Sequence, residues 1–313
     1  MSFMKKLFFF IIITCLGFNL KAQQDPQFSQ NMFNILSVNP AFAGAEEEIV
    51  ASAINRQQWV GFDNAPVTTV FNLSTPVHFA GRSHGIGLSI IRDELGLEKN
   101  TGIRFSYAYQ KKLNSGSLFF GLSFGFQNNA LKGEWFVPDG DEYTSIEQDL
   151  GSTSVDGSKM VFDSGLGIFY QTDNLYVGAS VTHLTKPNIG YSESVEIYLS
   201  RHYYAMAGYR YELTDSWEIL PSVFYKTDAV VSQIDINTNI RYNKKIWAGV
   251  SYRIDDAIVG MIGTLFSNGI QIGYAYDVSI SKIAKGSHEF LLAYRFNTKI
   301  AGRKQKYKSI RFL

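Results

Sequence analysis

The pentapeptide Gly121 to Gly125, "GLSFG", has the G-x-S-x-G spacing with which serine hydrolases expose a nucleophile, and it makes Ser123 the first candidate for chemistry. That motif works only on a sharp strand-to-helix turn that lifts the hydroxyl clear of the backbone. Ser123 instead stands between Leu122 and Phe124 in the middle of an alternating, strand-like run, so the turn is missing. The five histidines, His78, His84, His183, His202 and His288, form no H-x-H and no i, i+4 pair, and a metal site of the usual local spacing is not expected. Glycine-containing strands with no helix behind them do not cradle phosphate. Cys15 is the only cysteine and lies in an apolar leader, which leaves no thiolate or disulfide in the mature chain. Catalytic residues, metals and cofactors are therefore expected to be none, and the chain is expected not to be an enzyme.

Two charged stretches offer binding chemistry instead. Between Glu134 and Asp163 the chain carries Glu134, Asp139, Asp141, Glu142, Glu147, Asp149, Asp156 and Asp163 against Lys159 alone, with Trp135, Phe136 and Tyr143 among them. This is either a solvated loop or a partner surface, with "DGDE" (139–142) a fragment of a calcium-loop pattern that lacks its full spacing. After Glu289 there is no acidic residue, while Lys299, Arg303, Lys304, Lys306, Lys308 and Arg311 make a basic tail, either a solubilising end or a handle for an acidic partner. The net charge of +1 offers nucleic acid no general attraction.

The elements that must position these groups are strands. Lys5 and Lys6, an apolar run from Leu7 to Phe18 and a small residue at Ala22 read as a secretory signal peptide over 1–22. That run is too short for the ~20 residues of a spanning helix. Beyond it, period-two alternation dominates. Phe120, Leu122, Phe124 and Phe126 oppose Gly121, Ser123 and Gly125, and Ile234, Ile236 and Ile240 oppose Asp235, Asn237 and Asn239. One face suits lipid and the other a polar interior. Strands are expected near 48–60, 68–77, 85–95, 99–113, 116–131, 162–173, 175–185, 201–213, 217–228, 232–243, 245–254, 256–267, 270–280 and 287–297. Their even number and their alternation of tight turns with longer loops fit a closed transmembrane antiparallel β-barrel of about 14 strands. A soluble sandwich is the rival, though its core has little use for so many strands with faces so rich in Phe and Tyr. Outward aromatics at strand ends would form interfacial girdles.

Alternation assigns Arg104, Lys226, Asp235, Arg241, Arg253, Asp277, Glu289 and Arg295 to the lumen. Charges there must be paired or wet, so they either knit a plugged interior or line an aqueous pore. The stretch 23–47 is the one part that does not read as strand. Asp25 is placed to cap a helix with Pro26 at its first position, Phe28, Met32 and Ile35 or Leu36 recur at helical spacing, and Asn39-Pro40 ends it. A short periplasmic helix and turn is expected, with Phe33 and Phe42 adding to an aromatic face; it either plugs or braces the barrel mouth or is a simple ordered lead-in to the first strand. The barrel then spans 48–297, and 298–313 is a basic periplasmic tail.

"DPQFSQNMFN" (25–34), "NPAFAG" (39–44) and "RQQWVGFDNAPVTTVFNLSTPV" (56–77) resemble the N-terminal signature of the PorP/SprF family of type IX secretion system membrane proteins. "GIGLSIIRDELGLEKNTGIRFSYAYQKKL" (85–113) and "YAYDVSISKIAKGSHEFLLAYRF" (274–296) look like its middle and closing strands, so the resemblance spans nearly the whole mature chain. It implies an outer-membrane barrel, both termini periplasmic, serving type IX secretion or gliding motility. The partners it implies are secretion components, a peptidoglycan-associated lipoprotein, or a large surface adhesin whose C-terminal domain the barrel delivers or anchors. A passive barrel for small or apolar solutes is the alternative.

Overall fold

The computed structural model describes residues 25–131, 157–190, 197–280 and 286–296. The signal peptide, the basic tail and the acidic-loop residues Trp135, Phe136, Asp139, Asp141, Glu142 and Tyr143 lie outside them. From the N-terminal side, β1 (Ile49–Gln57), β2 (Val67–Phe79), β3 (Arg82–Leu95), β4 (Glu98–Leu113) and β5 (Gly116–Leu131) pair in sequence. They are followed by β6 (Gly157–Gln171), β7 (Leu175–Thr182), β8 (His202–Tyr209), β9 (Tyr211–Glu212) and β10 (Trp217–Thr227). The ring is completed by β11 (Ser232–Tyr242), β12 (Ile246–Arg253), β13 (Ala257–Leu265), β14 (Ile270–Ser279) and β15 (Ser287–Phe296). Antiparallel pairing of Ile49 with Phe296 closes β1 onto β15, which leaves no sheet edge running the length of the barrel.

Fifteen segments make fourteen walls. β8 and β9 face β10 in one continuous register, Gly208 opposite Ser222 and Tyr211 opposite Ile219. The break between them falls beside Pro221, which has no N–H to give the ladder. The result is the closed 14-strand antiparallel barrel that the alternation predicted.

Phe120, Leu122, Phe124, Ile236, Ile240 and Ile272 are exposed on the outside, while Ser123, Asp235, Asn237 and Asn239 are buried inside. Exposed apolar side chains ringing a closed barrel are what a lipid-facing band requires. Tyr209, Tyr211, Trp217 and Tyr242 are exposed together at one end, where the Trp217 and Tyr242 rings lie 4.6 Å apart. That end carries only short connections, 80–81, 114–115, 172–174, 213–216, 243–245 and 266–269, and is called the turn end; the other, the loop end, carries the long ones together with tight turns at 96–97 and 254–256.

The N-terminal segment departs from expectation in two ways. First, it is no continuous helix: a four-residue helix, Ile35–Val38, lies between 3₁₀ turns at Asn31–Phe33 and Pro40–Phe42. A helix beginning at Asp25 would bond the Ser29 N–H to the Asp25 carbonyl. Here Ser29 N donates to Glu289 Oε2 at 2.7 Å, and the Asp25 carbonyl accepts from Lys226 Nζ at 2.8 Å. Tertiary partners have taken both groups. The helix does stop before Pro40, with Asn39 extended (φ −128°) and its side chain capping the Ala41 N–H.

Second, the segment is not confined to the turn-end mouth from which β1 starts. Asp25 contacts Thr182 and His202, the paired loop-end residues of β7 and β8, whereas Glu46 pairs with Arg295 at the turn end. The chain runs the length of the lumen before β1 begins, so Asp25 and Phe296 lie at opposite ends.

Candidate functional site: the strapped lumen

The inner wall is built to receive the segment. A Cβ on Gly121 would come within 2.1 Å of Ala41 N, one on Gly167 within 2.0 Å of Asn39 Oδ1, and one on Gly85 within 1.8 Å of the Ala43 carbonyl oxygen. Only glycine lets the two backbones approach this closely at Gly85 and Gly121, and at Gly167 it leaves room for the Asn39 side chain. Around these contacts the segment supplies apolar side chains to the core. Phe28 packs with Ile54, Val70 and Leu291, and Met32 and Phe33 pack on the Trp247 cluster. Phe42 stands edge-on to Phe169 at 5.2 Å, beside buried Pro40. Burying a side chain such as Phe28 stabilises by about 1.5–3 kcal/mol, and half-buried Met32, Phe33 and Phe42 contribute less.

Near the loop end an ionic network clamps the segment. Glu289, fully buried, accepts the successive N–H groups of Ser29 and Gln30, each at 2.7 Å, and takes Arg56 Nη1 at 3.1 Å. Asp277 accepts the Ser29 hydroxyl at 2.6 Å, Arg56 Nη2 at 2.7 Å and Arg253 Nη1 at 3.0 Å. Asp235 accepts Gln27 Nε2 at 2.9 Å, Asn31 Nδ2 at 3.1 Å and Arg253 Nε at 3.3 Å. Two arginines and three carboxylates thus converge on residues 27–31.

A second cluster holds Asp25. Its Oδ1 lies 2.9 Å from His183 Nε2, its Oδ2 accepts from the Tyr204 hydroxyl and from Thr182 Oγ1, and its N–H points to His202 Nε2 at 3.1 Å. On its far side, His183 Nδ1 lies 2.9 Å from Asp163 Oδ2, which Arg104 Nη2 approaches at 3.4 Å. Burial disfavours the Asp25 carboxylate, but His183 and His202 outweigh it and hold the carboxyl well below the usual range. Burial likewise presses the His183 imidazolium down, while Asp25 and Asp163 more than reverse this and raise it to about 9. Among the described residues, Asp25, His183 and His202 form a group that could hold a metal, their ligand atoms all within 4.8 Å of one another.

The lumen-facing candidates are found inside but not in one place. Asp235, Arg253, Asp277 and Glu289 meet at the ionic clamp, and Arg104 joins the histidine cluster. Arg241 pairs with Glu218 at 2.5 Å, and Arg295 with Glu46 at 2.9 Å, both toward the turn end. There a cavity of about 730 Å³ runs in past Lys244 and Lys245 and reaches Met32 and Phe33 of the segment. The segment candidates Asp25, Pro26, Phe28, Met32, Phe33, Asn39, Pro40 and Phe42 are distributed along the lumen. Pro26 lines a loop-end cavity, and Asn39 Nδ2 reaches the carbonyls of Ile168 and Ala179 at 3.1 and 3.4 Å.

Ser123 is buried in mid-β5 opposite Ser106 and Gly165, with no elbow to expose it. Sequence reasoning missed Arg56, Ser29, Asp163 and the histidine pair. His183 and His202 form no local sequence motif, yet they flank the β7–β8 connection, and any hairpin there makes them neighbours. Arg56 shares the inward parity of Ser52 and Ile54.

Fold and site together define an outer-membrane-type barrel whose lumen is filled by its own N-terminal segment. The sequence matches the family described as Type IX secretion system membrane protein PorP/SprF over residues 20–294, and the chain belongs to that family. No curated protein matches it. Among solved structures it is similar to the Acinetobacter baumannii outer membrane protein Omp33 at 8% identity and a TM-score of 0.47, covering 80% of this chain and 98% of that one. The Ralstonia pickettii toluene transporter TbuX is similar at 15% identity and a TM-score of 0.46, covering 82% and 92%. The KdgM porin follows at 11% and 0.38, covering 79% and 99%. Membership places the chain among transport or secretion-associated barrels and is consistent with a non-catalytic role.

Proposed function

We propose that this barrel serves type IX protein secretion and gliding motility by delivering or anchoring a surface adhesin, or its C-terminal domain, and that it does so as a plugged scaffold. The observation that carries this reading is the lumen itself. Residues 25–45 run through it, sealed on Gly85, Gly121 and Gly167 and clamped by Arg56, Arg253, Asp235, Asp277 and Glu289. A passive solute channel needs a continuous wet path, and buried, mutually satisfied charges do not line one. The turn end faces the periplasm in this reading, which puts the basic tail beside secretion components or a peptidoglycan-associated lipoprotein. The acidic loop with Trp135 and Tyr143 then faces outward, toward the adhesin. Deleting the gene should strip one large adhesin from the cell surface while leaving small-solute uptake intact. Normal adhesin display with impaired uptake would reverse the assignment in favour of a transport barrel.

A further inference from the structure

We propose that Asp25, His183 and His202 bind a divalent transition metal of the zinc class, which locks the start of the N-terminal segment to the β7–β8 hairpin. Two imidazoles and one carboxylate are a donor set that suits zinc, whereas calcium and magnesium ask for shells of oxygen ligands.

The groups behind the ligand atoms distinguish this cluster from a chance meeting of polar groups. His202 Nδ1 lies 3.0 Å from the Ser200 carbonyl, which assigns the ring proton there and makes Nε2 the ligand atom; its lone pair accepts the Asp25 backbone N–H at 3.1 Å, a hydrogen bond that a metal would replace. His183 Nδ1 lies 2.9 Å from Asp163 Oδ2, so a carboxylate stands behind this histidine as in many zinc sites, with the ring N–H not yet aligned into a hydrogen bond. Asp25 Oδ2 is held by Tyr204 and Thr182, so Oδ1 is the oxygen turned to the metal. The 2.9 Å between Oδ1 and His183 Nε2 is close to the ~3.3 Å edge of a tetrahedron with zinc–ligand bonds of about 2.0–2.1 Å. A bound cation takes the place of the proton that His183 otherwise shares with Asp25. Both histidines are buried, and a cavity of about 110 Å³ against all three residues gives a water room to complete four-coordination.

The test uses the full-length protein, folded in detergent micelles without a histidine tag, stripped with chelator and titrated with zinc(II) or cobalt(II) alone. One equivalent of metal, the visible bands of tetrahedral cobalt(II), and a higher temperature for loss of the folded gel band are expected. His183→Ala/His202→Ala should abolish the bands, and Asp163→Asn should weaken binding by about 10–100-fold. Wild-type protein that takes up neither ion overturns the proposal whether or not the variants fold, as does binding that survives in the double variant.

Discussion

Glu289 has no exposed surface, and the solvation its carboxylate loses is replaced by two backbone N–H groups and one guanidinium. Such a group adds little net stability, because desolvation consumes most of the Coulombic gain, yet removing one partner exposes the full cost. Glu289→Ala is expected to lose about 3–5 kcal/mol, seen as an earlier loss of the fast-migrating folded band on heating before electrophoresis. Arg56→Met with Asp277→Leu removes both charges of a pair at 2.7 Å and should cost less than the two single changes added together. Strict additivity would mean that the charges do not act as a pair. Alternation alone put Asp235, Arg253, Asp277 and Glu289 on the inner face, so their placement was legible in the sequence. Their pairing was not, because Ser29 and Glu289 are 260 residues apart. Arg56 was hidden by its neighbours: Val50 and Ile54 also face inward to meet the segment, which locally inverts the polar-in pattern.

At the scale of elements, the strands followed from period-two patterning because lipid on one side and a polar lumen on the other impose it residue by residue. The N-terminal segment obeyed no such rule. Its helical spacing was real over Ile35–Val38, but upstream the carboxylate of Glu289 and the ammonium of Lys226 compete for the groups that a longer helix needs. Wall and segment are matched at glycines, and this gives a direct test. Gly121→Val places side-chain atoms where the Ala41 backbone lies, and a backbone held on both sides has no room to retreat. Overpacking of this kind costs about 1–3 kcal/mol or more. The folded band should persist while thermolysin cuts between residues 25 and 45, which it should not do in the wild type. Full protection in the variant would show that the fit at Gly121 does not hold the segment in place.

Across the whole molecule the wall is uneven. β4 and β5 have 16 residues each, while β7 and β12 have 8, so at ~3.3 Å per residue the wall is about twice as tall at β4 and β5 as at β7 or β12. β6 meets β7 only from Leu166 to Gln171, which leaves Gly157–Gly165 rising beyond it at the loop end. Crossing hydrocarbon takes about 9–11 tilted residues, so the tall side projects into solvent where the long connections are. If the loop end faces outward, Asp255→Cys should react with a membrane-impermeant maleimide on intact cells and Lys244→Cys should not; the reverse pattern would invert the barrel. With the orientation fixed, conduction follows from where the cavities stop. One of about 730 Å³ opens at the turn end and stops at Met32 and Phe33, and one of about 470 Å³ at the loop end, beside Asp255 and Asp256, stops at Gln27 and Arg253, so water meets the segment from either end. In planar bilayers the wild-type protein should therefore be close to silent, and deleting residues 25–38 should give steps of a size that a 14-strand lumen allows. Porin-like conductance in the wild type, or silence after the deletion, would show that the segment is not what closes the barrel.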